Sequence, residues 1–315
     1  MSVNVGATVS GSVFIRPNVL GSAVDQVFRD TDLINFLASE GRVVEAPGSA
    51  PFKWNIIQTA NATAAVFSEG DSISTYGNQL YEQASQPAFY VRATGGETGH
   101  MRDNRTKGGL YEDIRSLEIQ KATADVWKKM EDELCGSTAN RGIASIVDAG
   151  DTYAGLAPAT VTSWASLETN VSGALTITVL QDMYETLRSS PYGATPTHIL
   201  APQNQVTNYI NVAGAPGAAN SAFRIVPGAQ GGAFDAGVVL PLVTFNGMPV
   251  VPVRGLTSTE LYMVDINHLE LLIHRAPEVR ELAKTSDDDL FQVSLAGCLR
   301  ADRRRAHGKL INLSA

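Results

Sequence analysis

Residues 110–134 (LYEDIRSLEIQKATADVWKKMEDEL) constrain the fold more than any other stretch of the chain. Leu110, Ile114, Leu117, Ala124, Trp127, Met130 and Leu134 recur at helical spacing. Glu118–Lys121, Lys121–Asp125 and Asp125–Lys129 lie three or four positions apart, where opposite charges support a helix. Gly136 stands just past the end as a stop. A helix of about 25 residues spans roughly 37 Å, whereas about 11–12 residues is usual in globular proteins. Ile119 and Val126 fall off the main stripe, so more than one face of this rod is expected to be covered.

What flanks the rod is unusual in the other direction. Residues 1–20 are rich in Val, Ser, Gly and Asn without helical period and read as an extended arm. Residues 23–38 carry Val24, Val27, Phe28, Ile34 and Leu37 at helix-like offsets, and Gly41 and Pro47 end that segment. Residues 51–58 and 86–94 are β-rich, and the 27 residues between them are dominated by Ala, Ser, Thr, Gly and Asn. Structureless connections that long are uncommon inside compact domains. The segment Thr59–Ser85 holds Glu69, Asp71 and Glu82 and no Lys or Arg. A two-stranded projection cannot bury both faces alone, so it must lie on the rest of this chain or on a neighbour.

After the rod, the sequence predicts a helix near 177–189, a strand over Thr197–Leu200 and a helix over 202–212 begun by Pro202. Residues 213–237 contain six Gly and two Pro and mark a long loop. Asn246-Gly247 between apolar runs signals a hairpin within 240–253, which Pro249 and Pro252 place at a sheet edge. Further β-rich stretches fall at 261–264, 269–274, 290–299 and 309–313. The class is α+β, and 315 residues suggest about two domains.

Only 18% of residues are charged, against roughly 25% in typical domains. Either other subunits cover much of the outside, or a Ser/Thr/Asn-rich surface does. Net charge of -8 excludes a nucleic-acid clamp over the whole fold. Cys135 and Cys298 are too far apart in sequence for a metal or redox motif and are expected to be free, buried thiols. No apolar run reaches membrane-spanning length, and the N-terminus lacks the pattern of a secretory signal. The Asn-X-Ser/Thr triplets at Asn61, Asn104, Asn170 and Asn312 therefore read as chance.

Catalytic motifs are missing. GxSxG, HExxH, a Walker A loop and GxGxxG do not occur, so no catalytic residue, cofactor or metal is expected. His268 and His274 flank an apolar strand without a third ligand, and Asp287, Asp288 and Asp289 read as a solvated turn. Arg300, Arg303, Arg304, Arg305, His307 and Lys309 form the one basic cluster. No aromatic residue interleaves it in sequence, which argues against base stacking. Its two readings are a DNA-facing patch and an intersubunit patch pairing with the acidic 59–85 projection, the second being favoured.

The order of these elements resembles the major capsid proteins of tailed double-stranded DNA bacteriophages, the Hong Kong 97-type fold. VFSEGDSIS (66–74) resembles the turn of that family's extended loop, and QPAFYVRATGGETGHMRD (86–103) its returning strand. LYEDIRSLEIQKATADVWKKMEDELCGS resembles its spine helix, and DLFQVSLAGCLRADRRRAHGKLINLSA its final strands. The resemblance implies an N-terminal arm over 1–50 and an extended loop over 51–95 laid on an adjacent subunit. It implies a peripheral domain over 96–174 and 261–302, and an axial domain over 175–260 and 303–315. Phe67, Glu69, Asp71, Tyr76 and Tyr81 would then make intersubunit contacts, and Gly214, Gly217, Arg224, Gly231 and Gly232 would meet their symmetry mates at the capsomer centre.

On this resemblance the chain self-assembles into hexamers and pentamers of an icosahedral head shell. Its partners would be copies of itself, a portal, decoration proteins and packaged DNA held without sequence-specific contact. The arm begins almost at Met1 with no long helical prefix, which implies either a separate scaffolding protein or a cleaved segment missing from this sequence. Lys53 is the only Lys before Lys107, and it lies at the base of the loop, so no covalent cross-linking of subunits is expected. The expected location is the virion, after assembly in the host cytoplasm, with no membrane involved. The rivals are an encapsulin-like compartment with a protein cargo and a soluble enzyme with an unidentified site.

Overall fold

The computed structural model describes residues 27, 30–46, 48, 50–59, 66, 68–70, 79–99, 103, 114–136, 141–189, 191–213, 243–283 and 287–314. The predicted rod is helix α2, Ile114–Cys135, closed by the Gly136 amide on the Asp132 carbonyl at 3.1 Å. Its deepest row is Ala122, Val126, Met130 and Leu134, four positions apart. Trp127 and Ala124 are only half-buried, so the covered stripe is rotated from the one that the apolar spacing picks out. Ion pairs Lys128–Asp132 (2.6 Å) and Lys129–Glu133 (3.0 Å) support the outer side.

Helix α2 packs on a four-stranded sheet made of β1 (Val43–Glu45), β4 (Phe89–Glu97), β10 (Leu269–Glu281) and β11 (Asp289–Ala301), in the order β1-β10-β11-β4. β1 is parallel to β10, and the other pairs are antiparallel. Val91 lies opposite Leu295, and Ala93 opposite Val293, which gives the face under α2 its apolar surface. Gly297 lets that face close: a Cβ there would sit 2.8 Å from the Met130 terminal carbon. β10 runs well beyond the predicted 269–274. Pro277 has no N–H to give a ladder, and register shifts on both sides of Arg275 absorb it, so the polar second half still pairs.

A six-stranded sheet follows. It comprises β5 (Leu167–Gly173), β6 (His198–Ala201), β7 (Thr244–Phe245), β8 (Met248–Pro252), β9 (Leu261–Val264) and β12 (Gly308–Leu313), in the order β5-β12-β9-β6-β8-β7. β7 and β8 form the predicted Asn246-Gly247 hairpin at the sheet edge, with φ of 47° and 84° at the two turn residues, which Asn and Gly adopt most readily. Two-residue alternation makes β9 serve two cores. Tyr262 and Val264 join the core of α2 and the four-stranded sheet, together with the short helix α3 (Ile143–Ile146). Leu261 and Met263 join a second core with helices α4 (Ile177–Arg188) and α5 (Gln203–Ala213). The Thr176 hydroxyl caps α4 by accepting from the Val179 amide.

Upstream, helix α1 (Asp32–Ser39) is the described part of the predicted 23–38 segment, and it buries Leu33, Ile34, Phe36 and Leu37. The projection differs from its prediction. β2 (Phe52–Ile57) pairs with β3 (Tyr81–Gln86) in a separate two-stranded hairpin, and β4 belongs to the main sheet. The returning strand is therefore YEQASQ, whose polar sequence carries no strand alternation.

Candidate intersubunit surfaces

The hairpin is rooted at one end and free at the other. At the root, Ala84 and Gln86 are buried, and the Ser85 amide donates to the Ala154 carbonyl at 2.8 Å. Phe52, Trp54 and Ile56 lean on the main core. At the far end, the paired Ile57 and Tyr81 are 58% and 60% exposed, and Leu80 is 53% exposed. Nothing among the described residues covers this apolar end. Glu69 lies beyond it in an exposed turn with Gly70. Phe67, Asp71 and Tyr76 lie outside the described residues, as do Gly214, Gly217, Arg224, Gly231 and Gly232.

The basic cluster does not act as one patch. Arg304 is fully buried, and its guanidinium donates to the carbonyls of Ile146 (2.6 Å), Asp151 (2.7 Å) and Ser145 (2.9 Å) over the Tyr153 ring. Burial lowers its pKa to about 10, against the pull of Asp148 and Asp151. Lys309 is also buried, with its ammonium 2.5 Å from Asp148 and 3.2 Å from Glu168. These two cations are buried within the chain, which departs from the expectation that all five cations share one intersubunit or DNA-facing patch. β12 is covered on both faces from Gly308 to Leu310, with Lys309 on the face opposite Leu310, and the short 3-10 turn Arg304–Ala306 turns Arg304 onto the carbonyls at the end of α3 and of Asp151.

Arg300, Arg303 and Arg305 line, with part of Arg304, an open cleft of about 510 Å³ between that turn and the hairpin strand from Trp54 to Ile57. Trp54, Trp164, Tyr192 and His268 also line it. Arg300 lies 5.4 Å over the Trp54 ring, an aromatic partner supplied by a residue far away in sequence. Its charge is met by Glu270 at 3.2 Å and Asp302 at 3.9 Å. Among the described residues, the histidines near this cleft and strand β10 pack against the fold. His268 pairs with Asp302 at 2.8 Å, and His274 packs edge-on against Phe52 and Tyr90. No group of three metal-ligating side chains occurs among the described residues. Cys135 and Cys298 are buried and unpaired as thiols.

The sequence model of the SU10 major capsid protein family matches residues 35–314. The chain belongs to that family. This capsid protein is accordingly a component of the virion that associates with copies of itself as a shell protein. No curated protein sequence matches it. Among solved structures, it superposes on the cyanophage A-1(L) capsid asymmetric unit with a TM-score of 0.73 and 16% identity, covering 97% of this chain and 99% of that one. The capsid of a native GTA particle gives 0.69 at 11% identity over 99% and 100% of the two chains. The holo-SrpI encapsulin of Synechococcus elongatus PCC 7942 gives 0.59 at 15% identity over 94% and 93%. The capsid protein thus has the Hong Kong 97-type architecture that its element order resembles.

Proposed function

We propose that copies of this chain form hexamers and pentamers tiling an icosahedral head shell around double-stranded DNA. The observation that carries this reading is the hairpin: a rooted base and an exposed apolar end that the described parts of its own chain leave uncovered. A large apolar surface without cover inside one chain marks an interaction site. Residues 1–50 act as the arm and 51–95 as the extended loop. Residues 96–174 with 261–302 act as the peripheral domain, and 175–260 with 303–315 as the axial domain. The 213–237 loop meets its symmetry mates at the capsomer centre.

A separate scaffolding protein, a portal and decoration proteins complete the particle, which assembles in the host cytoplasm. The net charge of -8 disfavours tight adhesion to packaged DNA, which the shell encloses without sequence-specific contact. The protein acts by assembly rather than catalysis. Negative-stain electron microscopy with sedimentation velocity on the purified protein tests this. Shells, tubes or isolated capsomers are expected, and a protein that stays monomeric even with its scaffolding partner would overturn the reading.

The fold shared with the SrpI encapsulin supports a second reading, a compartment loaded with protein cargo. Particles purified from the native source separate the two. DNA inside supports the head shell, and an enzyme cargo without DNA supports the compartment.

A further inference from the structure

Two cations stand together at the open cleft, and no carboxylate among the described residues pairs with either. Arg303 is exposed, and both of its hydrogen bonds come from Nη2, to the carbonyls of Tyr192 (3.1 Å) and Gly193 (3.3 Å). Its Nε–H and Nη1 have no acceptor among the described residues. Arg305, half-buried, gives Nη2 to the Thr162 carbonyl (2.9 Å) and Nη1 to the Pro191 carbonyl (3.5 Å). Pro191 and Tyr192 are consecutive, so the two guanidiniums are held side by side on one turn of chain. The carbonyls fix both side chains and leave their charge unneutralised, and two like charges this close disfavour each other. Among the described lining residues the one carboxylate is Asp302, which His268 (2.8 Å) and Arg300 (3.9 Å) already engage. The wall that the hairpin contributes, Trp54 to Gln58, carries the amides of Asn55 and Gln58 and no carboxylate.

A volume of about 510 Å³ lies within the range of small-molecule sites. Two adjacent fixed cations call for two negative charges on one small body, with oxygens that accept from a guanidinium fork. A terminal phosphate has both properties. A phosphodiester in a nucleic-acid backbone carries a single charge per group, and the net charge of -8 disfavours a long polyanion. We propose that the cleft binds a small molecule bearing a terminal phosphate dianion, and that this anion ties the hairpin to the body of the subunit. Arg303 supplies the charge-assisted hydrogen bonds, Arg305 adds its charge, and Asn55 and Gln58 offer neutral amides from the hairpin wall. The bound anion joins three segments that are far apart in sequence: the hairpin strand, the 191–193 turn and the closing 3-10 turn. The angle of the hairpin to the body then depends on occupancy of the site. The inference concerns the single chain and goes beyond the shell reading, which stands whether or not the site is filled.

Pyrophosphate titrated into the purified full-length protein tests it, against sodium chloride at matched ionic strength. The melting temperature rises along a saturable curve, and amide hydrogen exchange slows over 54–58 and at 192–193. Arg303→Gln melts with the wild type in phosphate-free buffer and needs about tenfold more pyrophosphate for the same rise. Arg303→Lys, which keeps the charge without the fork, falls between the two. Three results overturn the inference. One is a rise no greater than the salt control gives. Another is an equal pyrophosphate response in Arg303→Gln, which would mark a general salting effect. The third is a DNA duplex that, at equal phosphate, slows exchange over 54–58 as well as pyrophosphate does, which would make the cleft a surface for the nucleic-acid backbone. None of the three bears on the shell reading, which electron microscopy and sedimentation decide separately.

Discussion

The Glu131 carboxylate, buried on α2, accepts the Leu33 amide at 2.6 Å and the Ile34 amide at 3.0 Å. The long helix thereby caps the short helix α1, whose own N-terminal residue, Thr31, makes no side-chain cap. Burial raises the carboxyl pKa, and the two amides oppose that rise. Glu131→Ala would leave two buried amides without acceptors, at a cost of about 2–4 kcal/mol, and Glu131→Gln, which keeps one acceptor, should lose about half as much. Urea denaturation of the unassembled chain should show a lower midpoint at unchanged slope. An unchanged midpoint in the Ala variant would mean that α1 is held by its apolar face alone.

The spine, the closing strands and the Asn246-Gly247 turn were legible because each depends on local spacing. The hairpin's return strand was not, since Tyr81, Glu82 and Gln83 are exposed and the buried half carries only Ala84 as an apolar residue. The basic cluster was visible as a sequence run, but its division was not. Whether Arg304 turns inward depends on the carbonyls of 145–151, more than 150 positions away. Trp54 beneath Arg300, and Asp148 and Glu168 beside Lys309, left no local signal for the same reason.

That division makes neighbouring arginines respond differently. Arg304→Met would remove three hydrogen bonds from a charged donor and orphan the carbonyls at the end of α3 and of Asp151, destabilising the unassembled chain by about 3 kcal/mol or more. Arg304→Lys should recover little, because an ammonium cannot span three carbonyls as the planar guanidinium does. Arg303→Met should leave the melting temperature within about a degree, as expected for an exposed side chain bonded only to loop carbonyls. Equal effects at 303 and 304 would refute the separation of roles.

Both thiols should be inert in the native protein. Burial raises the Cys298 pKa to about 12 and pushes Cys135 higher still, with Glu131 adding to the effect there. The thiolate is the reactive form, so at pH 8 almost none is present. Iodoacetamide should label neither cysteine in native protein and both in urea, as read by mass spectrometry. Assembly should be indifferent to reductant. Labelling of Cys135 without denaturant would show that the contact between α2 and α1 opens readily.

Acid should weaken the protein in two separable steps. His307 is fully buried; burial depresses its pKa to about 4, helped by His268 and opposed by Asp265 and Asp302. Its neutral Nδ1 accepts the Asp265 amide at 3.3 Å. A base whose folded pKa is depressed stabilises the fold above its unfolded value near 6.5 and loses that stability as pH falls toward 4, here about 3 kcal/mol. For Asp148, burial works against ionisation, and Lys309 with the Gly150 and Asp151 amides outweighs it, holding the pKa at about 2. An acid with a depressed pKa stabilises above its unfolded value near 4 and loses that stability between about pH 4 and 2, here about 2 kcal/mol. Urea midpoints measured from pH 8 downward should therefore fall first between 6.5 and 4 and again below 4. His307→Gln should shrink the first step to the part left by His198, whose pKa burial also lowers, and Asp148→Asn should shrink the second while lowering stability at pH 7. A wild-type curve that is level from pH 6.5 to 4.5 would show that His307 is free to take a proton in the native fold.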